Sequence, residues 1–546
     1  MGVLIFHGVQ VAPRGLEKRA QSIGAPAKKF FFIIIALVAF GQEHVGAQSQ
    51  KGWSLLDAIG STLTNHPLIQ SQQAQVQISR GLQEQAAGTF DSLITSGFSR
   101  NRGSTPLTVE QEEQDAILGV SGSALIANTS NYGITFQKLF RNGVSIDQQF
   151  QLNRTIDNLF NTGGLNTSTL NVVVNIPLLR GRGRAVVAAQ EQAANTEVDA
   201  TVLDLNQLIS QLMSNTATSY WNLVAAQKDL VIASDSEDRA KLYLSQVQIL
   251  VDADHVPRND LHEVRANLYQ RSSTRVAAQQ QVLAAKEQLS LDMGRPADEM
   301  LSDLRPTDEF PKAEDQDLPS DSLACRQYYT EQALQQRADY LAAGRRASEA
   351  EILLKASRNR LLPEINISLG AGYSGLQEGR QLSGIFTAAA TRVPGPTATA
   401  GISYSFPNGN HFARGELLQS EGTSIKAVMQ KRELARVVTS EVVVALDGLR
   451  SAIQRAKKAD EAVKSFQTAL LGEREKYAGG IGSIVDILSV EDRLTAVLTD
   501  QVQSELAYAI ALSQFRFATG TLMQPRQSLQ NVPANTFLTF PFACGR

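Results

Sequence analysis

The residues able to do chemistry in this chain are few and scattered. Beyond residue 47 there are four histidines, at 66, 255, 262 and 411, and the only cysteines are Cys325 and Cys544. His262-Glu263 begins like a zinc-protease helix, but the second histidine is missing. Gly181-x-Gly183 follows a strand-like run, as a dinucleotide fingerprint does. However, residue 186 is Val where the third glycine belongs, and Pro177 with the neighbouring arginines suits a membrane-edge junction better. With no CxxC pairing, neither a zinc site nor a disulfide framework is expected. No GxSxG nucleophile motif occurs. The chain therefore reads as a non-enzyme without cofactor or catalytic metal. What remains is electrostatic: within YAGGIGSIVDILSVEDRL, a single carboxylate, Asp486, sits in the first turn of the helix after the break.

The elements around Asp486 are legible. A long polar helical pattern ends at Tyr477, and glycines at 479, 480 and 482 break it. Ser483 is placed to cap the next helix, with Asp486 in its first turn near the favourable end of the helix dipole. Ile487, Val490, Leu494 and Val497 then mark one apolar face. Taken alone, this is a solvated hairpin tip.

The 546 residues hold 51 Lys+Arg against 54 Asp+Glu, which gives no nucleic-acid footprint. Lys28-Lys29 precede eleven apolar residues, Phe30 to Phe40, and then Val45-Gly46-Ala47. That order is a secretory signal peptide over 1–47, since the apolar run is too short to span a bilayer. Its removal leaves 46 basic and 52 acidic residues, a net of −6. No later run approaches the ~20 apolar residues of a membrane helix. Any membrane-spanning part must be made of strands.

From Trp53 to Gly88 the pattern is helical, interrupted at Asn65-His66-Pro67. Residues 92–102 alternate loosely. Ile134, Phe136, Val144, Ile146, Phe150 and Leu152 then lie on period-two tracks around Asn142-Gly143, a hairpin signal. A strand over 170–179 ends at Pro177. Next comes a helix from Arg184 to about Leu250, roughly 100 Å long, with a stripe of Val198, Val202, Leu205, Leu208 and Leu212. A turn follows, and Asp260 opens a helix to Met293. After a Pro/Asp-rich linker, 296–330, the pattern restarts. It gives a helix from about Glu331 to Arg360, strands at 365–375 and 399–406, Pro407, a second very long helix to Tyr477, the tip, and a helix to Gly520.

The chain is thus two copies of one unit, 48–295 and 331–522, with an irregular tail, 523–546. Pro177 to Asp260 is 83 residues and Pro407 to Asp486 is 79. Strand pairs in an exported chain suggest an outer-membrane barrel, yet one copy has too few strands to close one, so several chains must share it.

Here the residues resemble the TolC-type outer-membrane efflux proteins. SLLDAIGSTLTNHPLI resembles the family's opening helix, and IPLLRGRGR its strand-to-helix junction, which makes Pro177, Gly181 and Pro407 junction residues. RADYLAAGRRASEAEILLKASRNRLLPEI resembles its second-half opening, and YAGGIGSIVDILSVEDRL with AYAIALSQFRFATG its last hairpin. The resemblance implies a membrane β-barrel continued by a long α-helical barrel, shared by a homotrimer and closed at a periplasmic tip. It also implies an outer-membrane lipid setting and partners in the periplasm and inner membrane. These are an adaptor (membrane fusion protein) and a pump, or a type I secretion complex. Tyr477, Asp486, Ser489 and, in the first repeat, Asp260 become gate candidates.

Two departures stand out. The family commonly places two acidic residues one turn apart after the last turn; here the second position is Ser489, with Arg493 beyond it. In the first repeat Asp254 replaces the turn glycine. The other departure is an insertion. Leu93 to Pro177 is 84 residues while Ile365 to Pro407 is 42, room for two extra strands around Asn142-Gly143. That would give six strands per chain and eighteen per trimer, against the family's twelve. A periplasm-spanning scaffold and an autonomous porin are the competing functional readings.

Overall fold

A computed structural model describes residues 52–117, 119, 122–158, 163–296, 304–312, 323–379, 387–388, 395–523 and 537. The signal-peptide expectation and nearly all of the tail lie outside these residues.

Each half starts with two helices meeting at an extended residue. Helices α1 (Leu55–Asn65) and α2 (Pro67–Ala87) meet at His66 (φ −65°, ψ 121°), where Pro67 supplies a ring suited to a first helical turn. Helices α7 (Leu323–Gln336) and α8 (Ala338–Arg360) meet at Arg337 (φ −65°, ψ 123°). The second break has no proline to announce it, and the helical part starts earlier than the Glu331 read from sequence. Arg337 is held by Asp339 and Glu441, which fix the break with charge in place of a ring.

The sheet is one antiparallel meander in chain order: β1 (Ser92–Pro106), β2 (Ala124–Leu139), β3 (Ser145–Asp157), β4 (Leu165–Pro177), β5 (Glu364–Glu378) and β6 (Gly395–Ser405). The insertion therefore does add two strands to the wall. A short acidic helix, α3 (Val109–Ile117), lies between β1 and β2. Register puts Phe98, Tyr132, Leu152 and Ser168 in one row, and Ser96, Ile134, Phe150, Leu170 and Tyr373 in the next. That face carries Ile94, Phe136, Ile146, Val172, Val174, Ile367 and Ile402. The opposite face carries Thr95, Asn131, Gln149, Gln151, Asn153, Thr169, Asn171, Ser368 and Thr399. Mostly apolar on one side and polar on the other is the pattern of a barrel wall between lipid and a wet lumen.

A four-residue turn, α4 (Arg184–Val187), precedes α5 (Ala189–Asp252), which returns as α6 (Arg258–Asp292). In the second half α9 (His411–Ala478) returns as α10 (Ile484–Ala518). At 64 and 68 residues, α5 and α9 are each about 100 Å long. Among the described residues no helix is long and apolar enough to cross a membrane. The stripe expected on α5 is only partly used: Val198, Val202, Leu205 and Leu208 stay half-buried, while Ala193, Ala200 and Thr201 are buried. Small side chains let the helices approach closely there.

The core follows the repeat. One cluster packs Trp221, Tyr220, Met213 and Leu223 against Ile59, Ile69 and Leu289; another packs Tyr329, Leu449, Leu512 and Phe515. Gly294 (φ 67°) closes α6 against His66, and Gly520 (φ 71°) closes α10 against Arg337, so a Cβ at either would strike the backbone of the extended residue. Part of the linker is also ordered by pairing: Trp53 N–H donates to Arg305 O at 2.8 Å, Thr307 N–H donates to Trp53 O at 3.0 Å, and Tyr220 Oη donates to Asp308 at 3.0 Å. Cys325 is disulfide-bonded.

Candidate gate and strand-to-helix junction

The two hairpin tips are built alike. After α9, the N–H groups of Gly479, Gly480 and Ile481 donate to the carbonyls of Glu475, Tyr477 and Lys476. After α5, those of Ala253, Asp254 and His255 donate to Ile249, Val251 and Leu250. Gly480 and Asp254 both take the left-handed conformation (φ 74° and 56°), so the aspartate does occupy the glycine's place. Ser483 caps α10 as expected. Its side chain accepts from Val485 N–H at 3.0 Å, and Asp486 completes the capping box by accepting from Ser483 N–H at 3.2 Å. In the first repeat the helix opens at Arg258, two residues before Asp260, which sits in the first turn without capping it.

Asp486, Ser489 and Arg493 are exposed on one side of α10. Asp486 and Arg493 form no ion pair. Tyr477 is half-buried against a tip cluster of Tyr243, Val247, Val251, Val264, Leu470, Ile484, Ile487, Leu488 and Leu494. The buried face of α10 is thus phased on Ile484, Ile487, Leu488, Glu491 and Leu494, slightly rotated from the Ile487, Val490, Leu494, Val497 face read from sequence.

That rotation exposes what the sequence reading missed: Glu491 sits in the buried stripe, its side chain 7% exposed. It accepts from Arg239 Nε, Tyr243 Oη and Arg474 Nη2, each at 2.9 Å, and Arg474 Nη2 also donates to Tyr243 Oη at 2.7 Å. Burial raises the Tyr243 phenol, and the Glu491 charge adds to that. Next to it, Arg271 of α6 pairs with Asp492. Glu491 thus ties α5 to α9 and α10, joining the two hairpins just above their tips. Higher up, the α5–α10 seam is again polar, with Lys228 to Glu505 at 2.9 Å and Gln503 to Asp229 at 2.9 Å. The available signal was a charged residue at a core position between Ile487 and Leu494.

At the other end of the helices the added β2–β3 hairpin closes onto the junction. Phe140 and Val144 pair across a three-residue loop ending in Gly143 (φ 95°), a turn with a glycine bulge, longer than the two-residue turn its Asn-Gly suggests. Asn142 O accepts from Gly183 N–H at 3.0 Å, and Arg141 binds Glu191 through Nε at 2.7 Å and Nη2 at 2.6 Å. Gly181 (φ 76°) donates to Asn359 Oδ1 at 2.8 Å, and Leu178 N–H to Ile365 O at 2.8 Å, joining the two halves beside Pro177. Pro407 lies on the exposed stretch between β6 and α9, apart from this knot.

The model of the family "Outer membrane efflux protein" matches residues 329–521. No curated protein sequence matches significantly. Among solved structures, the Campylobacter jejuni CmeC outer membrane channel is 14% identical, with a TM-score of 0.63 and coverage of 87% of each chain. VceC from Vibrio cholerae is 15% identical, covering 85% of this chain and 96% of its own at a TM-score of 0.59. The open-state Neisseria gonorrhoeae MtrE channel is 14% identical, covering 85% and 88% at 0.59. The second repeat matches the outer membrane efflux protein family, and the fold along nearly the whole described chain is similar to that of these outer membrane channels, so the chain is similar to the TolC-type outer-membrane efflux proteins.

Proposed function

We propose that three copies form a passive export duct, driven by an inner-membrane pump through a periplasmic adaptor or by a type I secretion complex. The observation that carries this reading is the unfinished wall. Strands β1 and β6 each offer a free edge, an arrangement that invites pairing with another chain. With six alternating strands, β6 of one copy runs antiparallel to β1 of the next. The helices repeat the message: Leu418, Ile425, Val437 and Val444 are exposed on α9, and Ile78 and Leu82 on α2. Such faces on opposite flanks suit a head-to-tail ring. A trimer would have eighteen strands and a backbone diameter of about 36 Å at ~40° tilt, against about 24 Å for twelve.

In that ring the tips converge, and Asp486 with Ser489, and Asp260 with Tyr477, lie around the narrow end. One carboxylate per chain on α10 repels anions and attracts cations, so polyvalent cations block the duct. Substrate choice rests with the pump, and the chain has no catalytic role. Planar-bilayer recording is the test: the duct conducts, prefers cations, and loses both preference and blockade in Asp486→Asn. Absence of conductance would favour a closed scaffold, and constant full opening without an adaptor an autonomous porin. Unchanged selectivity in the variant would remove Asp486 from the gate.

A further inference from the structure

The charged residues of the sheet are completely sorted between its two faces. The register puts Arg100, Arg102, Lys138 and Arg154 on the apolar face, and Asp147, Asp157, Glu364 and Glu378 on the polar one. Lys138 lies at the helix end of the wall and is occupied, donating to Phe90 O at 2.5 Å. The three arginines lie at the opposite end. Arg100 pairs in register with Ser130, and Ser130 with Arg154, so both arginines share a row; Arg102 stands one row further out, opposite Asn128. The row beneath them holds Phe98 and Tyr132, whose ring centroids are 4.6 Å apart. Arg100 and Arg102 are exposed and make no ion pair among the described residues, although the acidic helix α3 begins within ten residues of both.

An unpaired arginine facing hydrocarbon is costly. At the outer rim of an apolar band, just beyond an aromatic pair, it meets lipid headgroups instead. At this rim the face offers two guanidiniums flanked by Ser130 and Asn128, whose hydroxyl and amide can also donate, and no strand carboxylate competes. Guanidinium forks match phosphate oxygens, and clustered basic residues at a membrane rim read as anionic-lipid sites. We propose that Arg100 and Arg102 bind the phosphate groups of the phosphorylated glycolipid of the outer leaflet. The orientation rests on the duct reading, in which the helices point into the periplasm. On each copy the site lies beside the β1 edge, so bound glycolipid would lean over the seam between neighbours.

The test uses the full chain in nanodiscs, titrated with lipid A bearing both phosphates and with dephosphorylated lipid A. Arg100→Gln/Arg102→Gln is expected to bind the phosphorylated form roughly thirtyfold more weakly, from the usual attraction per basic residue. The dephosphorylated form should bind wild type and variant equally weakly, and Arg100→Lys/Arg102→Lys should keep most of the affinity. Equal affinity of wild type and double variant for the phosphorylated lipid overturns the inference. Displacement of the lipid by millimolar inorganic phosphate alone overturns its lipid assignment in favour of a free-anion site. Conductance of the double variant keeps the readings apart: a conducting variant with undiminished lipid binding defeats only this inference. A wild-type chain that never conducts defeats the duct.

Discussion

Replacing Glu491 with Gln should loosen the periplasmic tip. The carboxylate takes three charge-assisted bonds and is nearly buried, so the change strips Arg239 and Arg474 of their shared counter-charge. Breaking a fully buried pair costs about 3–5 kcal/mol. The arginines are 28% and 42% exposed, so water recovers part of that, leaving about 2 kcal/mol per chain. Three equivalent sites in a trimer would add to about 6 kcal/mol, enough to turn a mostly closed population into a mostly open one. Amide hydrogen exchange across 470–500 should speed up, and single-channel recordings should show long open periods. Tyr243→Phe, which removes the hydroxyl's bonds to Glu491 and Arg474 but no charge, should have a smaller effect, about 1 kcal/mol per chain. If Glu491→Gln exchanged and conducted like wild type, the latch would have no part in holding the hairpins together.

Gly143→Ala should weaken the junction by about 1–3 kcal/mol, because φ is 95° and a Cβ would lie 2.1 Å from Gly181 O; the melting of the trimer on a semi-native gel reads this. The Glu349 carboxyl is pushed up to about 7, mainly by burial and then by the neighbouring Glu197 charge. Its contribution to stability is complete below the ordinary carboxylate value and is lost as pH rises through 7. Glu349→Gln should flatten the fall in thermal stability between pH 5 and 8, and an unchanged slope would assign the effect elsewhere. Ser483→Ala should destabilise the start of α10 by about 1 kcal/mol, seen as faster exchange confined to the tip.

Much of the architecture was readable because the repeat is written in strong punctuation. Prolines close strands, glycines or an aspartate turn the tips, and long breaker-free runs give long helices. The inserted hairpin was visible as excess length around Asn142-Gly143, and its place in the wall was allowed by parity alone. What escaped reading depended on partners far away in sequence. Arg337 breaks a helix through Glu441, 104 positions on. Glu491 looks like one more surface acid until the helix phase turns it inward towards Arg239 and Tyr243, some 250 positions earlier. The rotation of the α10 face by a fraction of a turn was enough to hide it. Small side chains did the same on α5, where alanines rather than the Val/Leu stripe make the close contacts.

The six-stranded sheet also bears on how a barrel can be joined to a tube of helices. Four helices per chain, α2, α5, α8 and α9, reach the junction. Twelve helices side by side at 9–10 Å give a circumference of about 110–120 Å. Eighteen strands at ~40° tilt give about 113 Å, whereas twelve give only about 75 Å. Two rims of nearly equal circumference can meet without a step, so the four strands of each chain that adjoin helices pass load straight down into them. The turn at Asn142-Gly143, seated against Gly181 and Gly183, then works as a gusset in that joint, filling the gap between two strands that continue into helices with one hairpin that does not.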